Sequence, residues 1–302
     1  MQYLSQFSGR SALARLIYPG TTFYAFKKRL LFCGRSLVFG RAYRQTLALS
    51  NSPHFQPVLQ FHPKTVEKAF RPYLMRGLSP GRRFARLASH YRLLAQHWDS
   101  AQLTAFLKDG VTLASIEGPD GRPLEVRLQY LSSFQREGEL TLTLVVEGEV
   151  FYSSTFILGE DEQGRTGLLV GGLQGPVRGS ALDEAYIRDV TRHCHGVRPK
   201  ALMVQLLSIL AQAWGCDFIH AVSNEGHVFA SRRYRRKQKL KTDYDSLWAE
   251  YGGEALEARL WQLPLVVPRK PLEEVASKKR SQYRKRYEWL DALQEDCRQS
   301  LG

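Results

Sequence analysis

Acidic residues are missing from the first fifth of this 302-residue chain: no aspartate or glutamate occurs before Glu67. Long apolar runs are missing too. No stretch approaches the roughly eighteen residues of a membrane span, and the apolar residues of the N-terminus are broken by Arg10 and Arg15, unlike a signal peptide. Cysteine is scarce. Cys33, Cys194, Cys216 and Cys297 are widely spaced with no CxxC pair, so a disulfide framework is not expected and reduced thiols in a cytoplasmic protein are. No Ser-His-Asp, Walker or HExxH pattern is present, which removes the best-marked hydrolase, nucleotide-binding and zinc-protease classes. His193-Cys194-His195 lacks spaced partner ligands, and no metal is expected.

What remains is basic and well able to fold. The formal net charge is +14, with 43% hydrophobic and 11% aromatic residues. That composition builds a real core and favours acidic partners: anionic membrane lipid, an acidic carrier protein or, less favoured without a recognition motif, nucleic acid. In the acid-free segment, Arg10, Arg15, Lys27, Lys28, Arg29, Arg35, Arg41 and Arg44 are interleaved with Phe23, Tyr24, Phe26, Leu30, Leu31, Phe32, Leu37, Phe39 and Tyr43. The pattern suits an amphipathic helix on an anionic membrane, and equally a helical subdomain packed on its apolar side.

The periodicity divides the chain into three. Residues 1–110 read as a basic, mainly helical region, with Leu87, Tyr91, Leu94 and Trp98 at helical intervals. Residues 111–268 change to an alternating pattern. Strands at 112–117 and 124–134 flank Pro119-Asp120-Gly121, strands at 140–146 and 150–158 flank Glu147-Gly148-Glu149, and a further strand occupies 167–172. Helices follow at 181–193 and, launched by Pro199, at about 199–213. A strand at 216–223, a helix near 228–250 and a strand near 257–266 complete the unit. Residues 269–302 read as a charged C-terminal helix, about 272–299. The fold class expected is therefore α+β: a helical N-terminal region, a mixed and largely antiparallel sheet flanked by helices, and a C-terminal helix.

Several residues carry candidate chemistry. Gln174-Gly175 and Ser223-Asn224 follow the two central strands, where open sheets place ligands, although turn formation explains Asn224 equally well. Arg198 and Lys200 stand at a helix entry suited to an anion. His227 has the ordinary pKa of a general base, or it is a capping histidine. Tyr244 and Asp245 offer a phenol and a carboxylate, or a helix start. Arg232, Arg233, Arg235, Arg236, Lys237, Lys239 and Lys241 either grip phosphate or form a solvated face.

The element order resembles the GNAT acetyltransferase fold, although its usual loop, a glutamine or arginine followed by two closely spaced glycines, is replaced by a proline and bulky side chains. At residue level the chain resembles the VirK/YbjX family of Gram-negative bacteria. The likeness rests on Gly171-Gly172-Leu173-Gln174-Gly175, on Gly196-Val197-Arg198-Pro199-Lys200-Ala201-Leu202, on Ala221-Val222-Ser223-Asn224 with His227, and on Tyr244-Asp245, Trp248 and Gly252-Gly253. It covers about residues 60–265. The resemblance implies a cytoplasmic or inner-membrane-associated protein of envelope remodelling, antimicrobial-peptide resistance and virulence, and it brings no settled reaction.

The first expectation is thus an acyltransferase-like protein. Acyl-CoA or acyl carrier protein would be the donor in the crevice between residues 167 and 200, with His227, Tyr244 and Asp245 as catalytic candidates. Gln174, Gly175, Arg198, Lys200, Ser223, Asn224, Arg232 and Arg233 would bind the ligand. The alternative is a non-enzymatic peripheral membrane or regulatory protein that binds anionic lipid through its N-terminal region. RNA binding or tRNA-dependent aminoacyl transfer is a weaker third.

Overall fold

The computed structural model describes residues 9–50, 52–234, 240 and 242–301. Its first third is helical: α1 (Arg10–Ile17), α2 (Phe23–Val38), α3 (Gly40–Ser50), α4 (Gln56–Phe61), a 3-10 segment (Pro63–Phe70), α5 (Pro80–Leu94) and α6 (Ser100–Asp109). Local chemistry sets the boundaries. The Thr22 hydroxyl accepts from the Ala25 N–H at 3.2 Å and so starts α2. Asp99 and Gln102 form a reciprocal capping box on α6.

An eight-stranded sheet follows, built from β1 (Val111–Glu117), β2 (Pro123–Gln129), β3 (Leu140–Val146), β4 (Glu149–Glu160), β5 (Thr166–Gln174), β6 (Phe218–Val222), β7 (Glu254–Glu257) and β8 (Leu260–Leu263). The order across the sheet is β1-β2-β3-β4-β5-β6-β8-β7. Every pairing is antiparallel except β5 with β6, which is parallel. Parallel neighbours need a crossover, and here it holds α7 (Glu184–His193) and α8 (Pro199–Ala213). The α+β class and the meander read from the sequence are those observed. The turn residues explain the meander. Glu147 and Gly148 both have positive φ, and they close the β3–β4 hairpin in the manner of the turns that match strand twist.

Strand β3 is buried at every position and β4 nearly so, which requires cover on both faces. Helix α5 packs against β4, α8 against β3, β4 and β6, and α10 (Arg280–Leu301) against β1 and α8. One hydrophobic cluster runs from Leu13 in α1 to Cys297 in α10.

Four boundaries differ from the sequence reading. Among the described residues, the helix expected near 228–250 shows as a 3-10 turn (Val228–Ala230) and the short α9 (Tyr244–Glu250). The Asp243 side chain accepts from the Ser246 N–H at 3.2 Å, a cap that starts the helix only there. Arg235, Arg236, Lys237, Lys239 and Lys241, expected in that helix, lie outside the described residues. The strand expected near 257–266 is the hairpin β7–β8, and β2 stops at Gln129, leaving 130–139 as a loop. Two 3-10 turns, Leu272–Glu274 and Ser277–Lys279, precede the C-terminal helix. Among the described residues no helix is long and apolar enough to cross a membrane.

Candidate functional site

Strands β5 and β6 part company. Their register pairs Gly167–Val170 with Phe218–Ala221 and then ends, while β5 runs on to Gln174. Main-chain groups facing a departed strand must find other partners. The Leu173 N–H donates to the Tyr244 hydroxyl at 3.3 Å, and that hydroxyl lies 3.3 Å from the Leu173 carbonyl it donates to. The Trp248 indole N–H donates to the Val222 carbonyl at 2.9 Å. The crevice expected between the two strands is therefore occupied by two rings of α9.

A buried polar group is packed beside these rings. The His227 ring lies nearly parallel to that of Tyr244, centroids 5.0 Å apart. Its Nδ1 accepts from the Phe229 N–H at 3.2 Å. The neutral imidazole therefore carries its proton on Nε2. Nε2 has no hydrogen-bond partner among the described residues and lies 3.7 Å from the Glu137 carboxylate. Glu137 also accepts from the Gln174 amide, at 3.3 and 3.4 Å, and that amide is 3.5 Å from the Tyr244 hydroxyl. Glu137, His227 and Tyr244 are all essentially closed to solvent.

Burial sets the protonation of this group. It pushes the Glu137 carboxyl up to about 7, against the opposing pull of the Gln174 amide. It also lowers His227 to about 4 and raises the Tyr244 phenol. Near neutrality the carboxyl is thus poised between two states while the imidazole is neutral. That is the profile of a group able to give or take a proton.

Gly171 and Gly172 make the arrangement possible. A Cβ on Gly172 would collide with Glu137 Oε2 and stand 3.3 Å from His227 Nε2, and one on Gly171 would collide with the Glu137 carbonyl oxygen. The paired glycines, read from sequence only as part of a motif, let the 130–139 loop lie directly against β5.

The structure thus brings Gln174, His227 and Tyr244 together. Ser223, Asn224 and Asp245 form the frame instead. The Ser223 hydroxyl donates to the Ala258 carbonyl and accepts from the Gly226 N–H. Asn224 bridges Asp243 and the Tyr244 N–H, each at 2.7 Å. Asp245 accepts from the Trp261 indole at 2.8 Å. Gly175 is exposed beside Tyr152. Arg198 is exposed, 3.8 Å from the Glu250 carboxylate, and Lys200 is half-buried at the start of α8. Arg232 and Arg233 are exposed, the latter 6.0 Å from the ring of Tyr234. Among the described residues no three His, Cys, Asp or Glu side chains converge as a metal site.

Glu137 was not legible in the sequence, because it sits in an irregular loop far along the chain from its partners. A second buried group was missed for the same reason. Glu139 accepts from Lys68 (2.6 Å), Tyr73 (2.6 Å) and Tyr91 (2.8 Å), tying the helical region to the sheet.

Helix α2 is oriented unlike an ordinary surface helix. Its buried stripe, at helical intervals, is Ala25, Phe32 and Ser36, with Arg29 reaching back to the Tyr18 carbonyl at 2.9 Å. Phe23, Tyr24, Phe26, Leu30, Leu31, Leu37 and Val38 all point outward. They are seven of the ten large apolar side chains exposed among the described residues, with Phe23 at 81% and Val38 at 76%. Lys27 lies within this face, and Lys28 and Arg35 border it.

No solved structure matches the chain. It is 35% identical over 280 residues to "Uncharacterized protein YbjX" of Escherichia coli (strain K12), covering 91% of this chain and 84% of that protein. An uncharacterized protein of Haemophilus influenzae (strain ATCC 51907 / DSM 11121 / KW20 / Rd) is 38% identical over 178 residues, 58% of this chain and 57% of its own. A family model described as "Protein of unknown function (DUF535)" matches residues 21–299. The chain belongs to this DUF535 family, the VirK/YbjX proteins that its paired glycines and Gly-Val-Arg-Pro-Lys motif resemble.

Proposed function

We propose that the protein is a peripheral membrane protein of the cell envelope that lies on anionic lipid through α2. The outward apolar face of that helix carries the reading. Soluble proteins rarely leave a contiguous apolar patch of this kind without an occupant. The sign of the surrounding charge selects the occupant, since Lys27, Arg41 and Arg44 are exposed and no acidic residue precedes Glu67. Full burial of a large apolar side chain is worth about 1.5–3 kcal/mol, and each basic residue near an anionic bilayer adds about 1 kcal/mol. Insertion of several outward-facing side chains of α2 beside Lys27, Arg41 and Arg44 therefore supplies several kcal/mol toward surface binding.

Flotation with vesicles tests the proposal. The protein should rise with phosphatidylcholine vesicles containing phosphatidylglycerol and stay behind with phosphatidylcholine alone. Phe23→Ser combined with Leu30→Ser should cut binding at least tenfold. Equal flotation of the double variant and the parent chain removes the reading. Point changes on the outer face are the right tool, because deleting the segment would strip Leu13, Phe32 and Tyr43 from the core.

A second reading is acid–base chemistry at Glu137, His227 and Tyr244, in the service of acyl transfer from acyl-CoA or acyl carrier protein. Its support is the carboxyl held at about 7 beside an imidazole N–H. Because the group is closed to solvent, this reading requires α9 to move. A rise in melting temperature with acyl-CoA or acyl carrier protein that Glu137→Gln abolishes would favour it, and no rise with either donor would count against it.

A further inference from the structure

We propose that the cleft between the Pro63–Phe70 segment and the 130–139 loop binds a phosphate-type oxyanion, held by Arg71 and Arg136, with Arg35 and Arg233 adding positive charge nearby. This goes beyond membrane attachment and does not depend on it.

Cations converge here with too few acids to balance them. Lys64, Arg71 and Arg136 line the cleft with Tyr234, and Glu67 is its one carboxylate among the described residues. That carboxylate is already engaged by Arg71 at 2.6 Å and by the Tyr18 hydroxyl. Arg136 lies over the Tyr234 ring at 4.4 Å, and Arg233 approaches the same ring from the preceding position in the chain. Arg35, on α2, adds positive charge nearby. Burial lowers its pKa first, and the charges of Arg233 and Arg71 lower it further, which places the three guanidiniums within mutual influence.

Donors are also left over. Arg35 Nη1 and Arg71 Nε are buried without a hydrogen-bond partner among the described residues, as is the hydroxyl of Tyr234. Buried donors of this kind are costly unless met, and gathered like charges are costly unless neutralised. A tetrahedral oxyanion answers both costs, since guanidinium forks match its geometry. Size agrees. The cavity volume is about 50 Å³, and roughly 10–15 Å³ holds one water, so a small anion such as phosphate has room. Arg35 also borders the outward face of α2, so a lipid headgroup and a soluble phosphate are both able to supply the anion.

Melting temperature in phosphate or pyrophosphate, against chloride at matched ionic strength, tests the site. The parent chain should melt several degrees higher with either anion. Arg136→Gln should lose most of that rise and Arg233→Gln part of it, while Arg192→Gln, which removes an arginine paired with Asp189 on α7, should keep it. Leu30→Ser should keep it too, so failure of membrane binding and failure of this site are distinguishable. Preference for vesicles containing phosphatidic acid over phosphatidylglycerol at equal charge assigns the anion to a lipid, and equal binding assigns it to a soluble phosphate. No rise with either anion, or the same rise in Arg136→Gln and Arg233→Gln as in the parent, overturns the proposal.

Discussion

His227 Nε2 lies 3.7 Å from the Glu137 carboxylate, both groups shut away from water where β5 and β6 separate. Neither is a free surface titrant, and burial makes each contribute to the pH dependence of stability.

For Glu137 the folded pKa is raised to about 7, so the unfolded chain loses its proton first. Its contribution to stability is full below about pH 4 and declines as pH rises toward 7. For His227 the folded pKa is lowered to about 4, so its contribution is full above about pH 6.5 and is lost as pH falls to 4. The two effects oppose each other between about pH 4 and 6.5. Glu137→Gln removes the first and keeps the second. Its melting temperature relative to the parent should climb steadily from pH 5 to pH 7.5, an advantage on the order of 2–3 kcal/mol at the upper end. Parallel profiles for the two proteins would contradict the assignment.

Gly172→Ala should destabilise the fold by about 1–3 kcal/mol, the usual cost of overpacking, because its Cβ would meet Glu137 Oε2. Combining it with Glu137→Ala should remove most of that increment in urea denaturation. Gly171→Ala meets main chain instead and should not be rescued in this way.

Tyr244→Phe deletes the hydroxyl that serves Leu173 in place of a neighbouring strand. A loss of about 1 kcal/mol is expected. Amide exchange at Leu173 should accelerate more than at Val170, which keeps its register with Ala221. Equal protection at both positions would show that the hydroxyl does not hold the strand end.

These expectations depend on features the sequence disclosed unevenly. The meander was legible because Pro119-Asp120-Gly121 and Glu147-Gly148-Glu149 carry turn chemistry between alternating runs. Helix α8 was legible because Pro199 opens it and Gly215 follows its end. Of the helix expected over 228–250, the described residues show the 3-10 turn Val228–Ala230 and α9, since periodicity does not reveal that Asp243 starts a new helix. Gln174, His227 and Tyr244 could each be singled out, whereas Glu137 could not, its role arising from a loop that folds back against two glycines. The apolar face of α2 was evident too, but amphipathicity does not say which side meets the core, and here the larger apolar side turns outward.

Lys68→Met should cost about 3–5 kcal/mol, because it strands the Glu139 carboxylate in the interior. Adding Glu139→Gln should recover part of this, since the uncompensated charge is then gone. Chemical denaturation of the single and double variants measures both values.

Membrane contact by α2 is tested most directly by an environment-sensitive fluorophore on that helix. Leu30→Cys in a Cys33→Ser background offers one accessible thiol, because Cys194, Cys216 and Cys297 are buried with thiols pushed up to about 12. On phosphatidylglycerol-containing vesicles the label at position 30 should brighten and shift to the blue, while a label introduced by Leu256→Cys, on β7, should not. An unchanged spectrum at position 30, or the same change at both positions, would contradict the account.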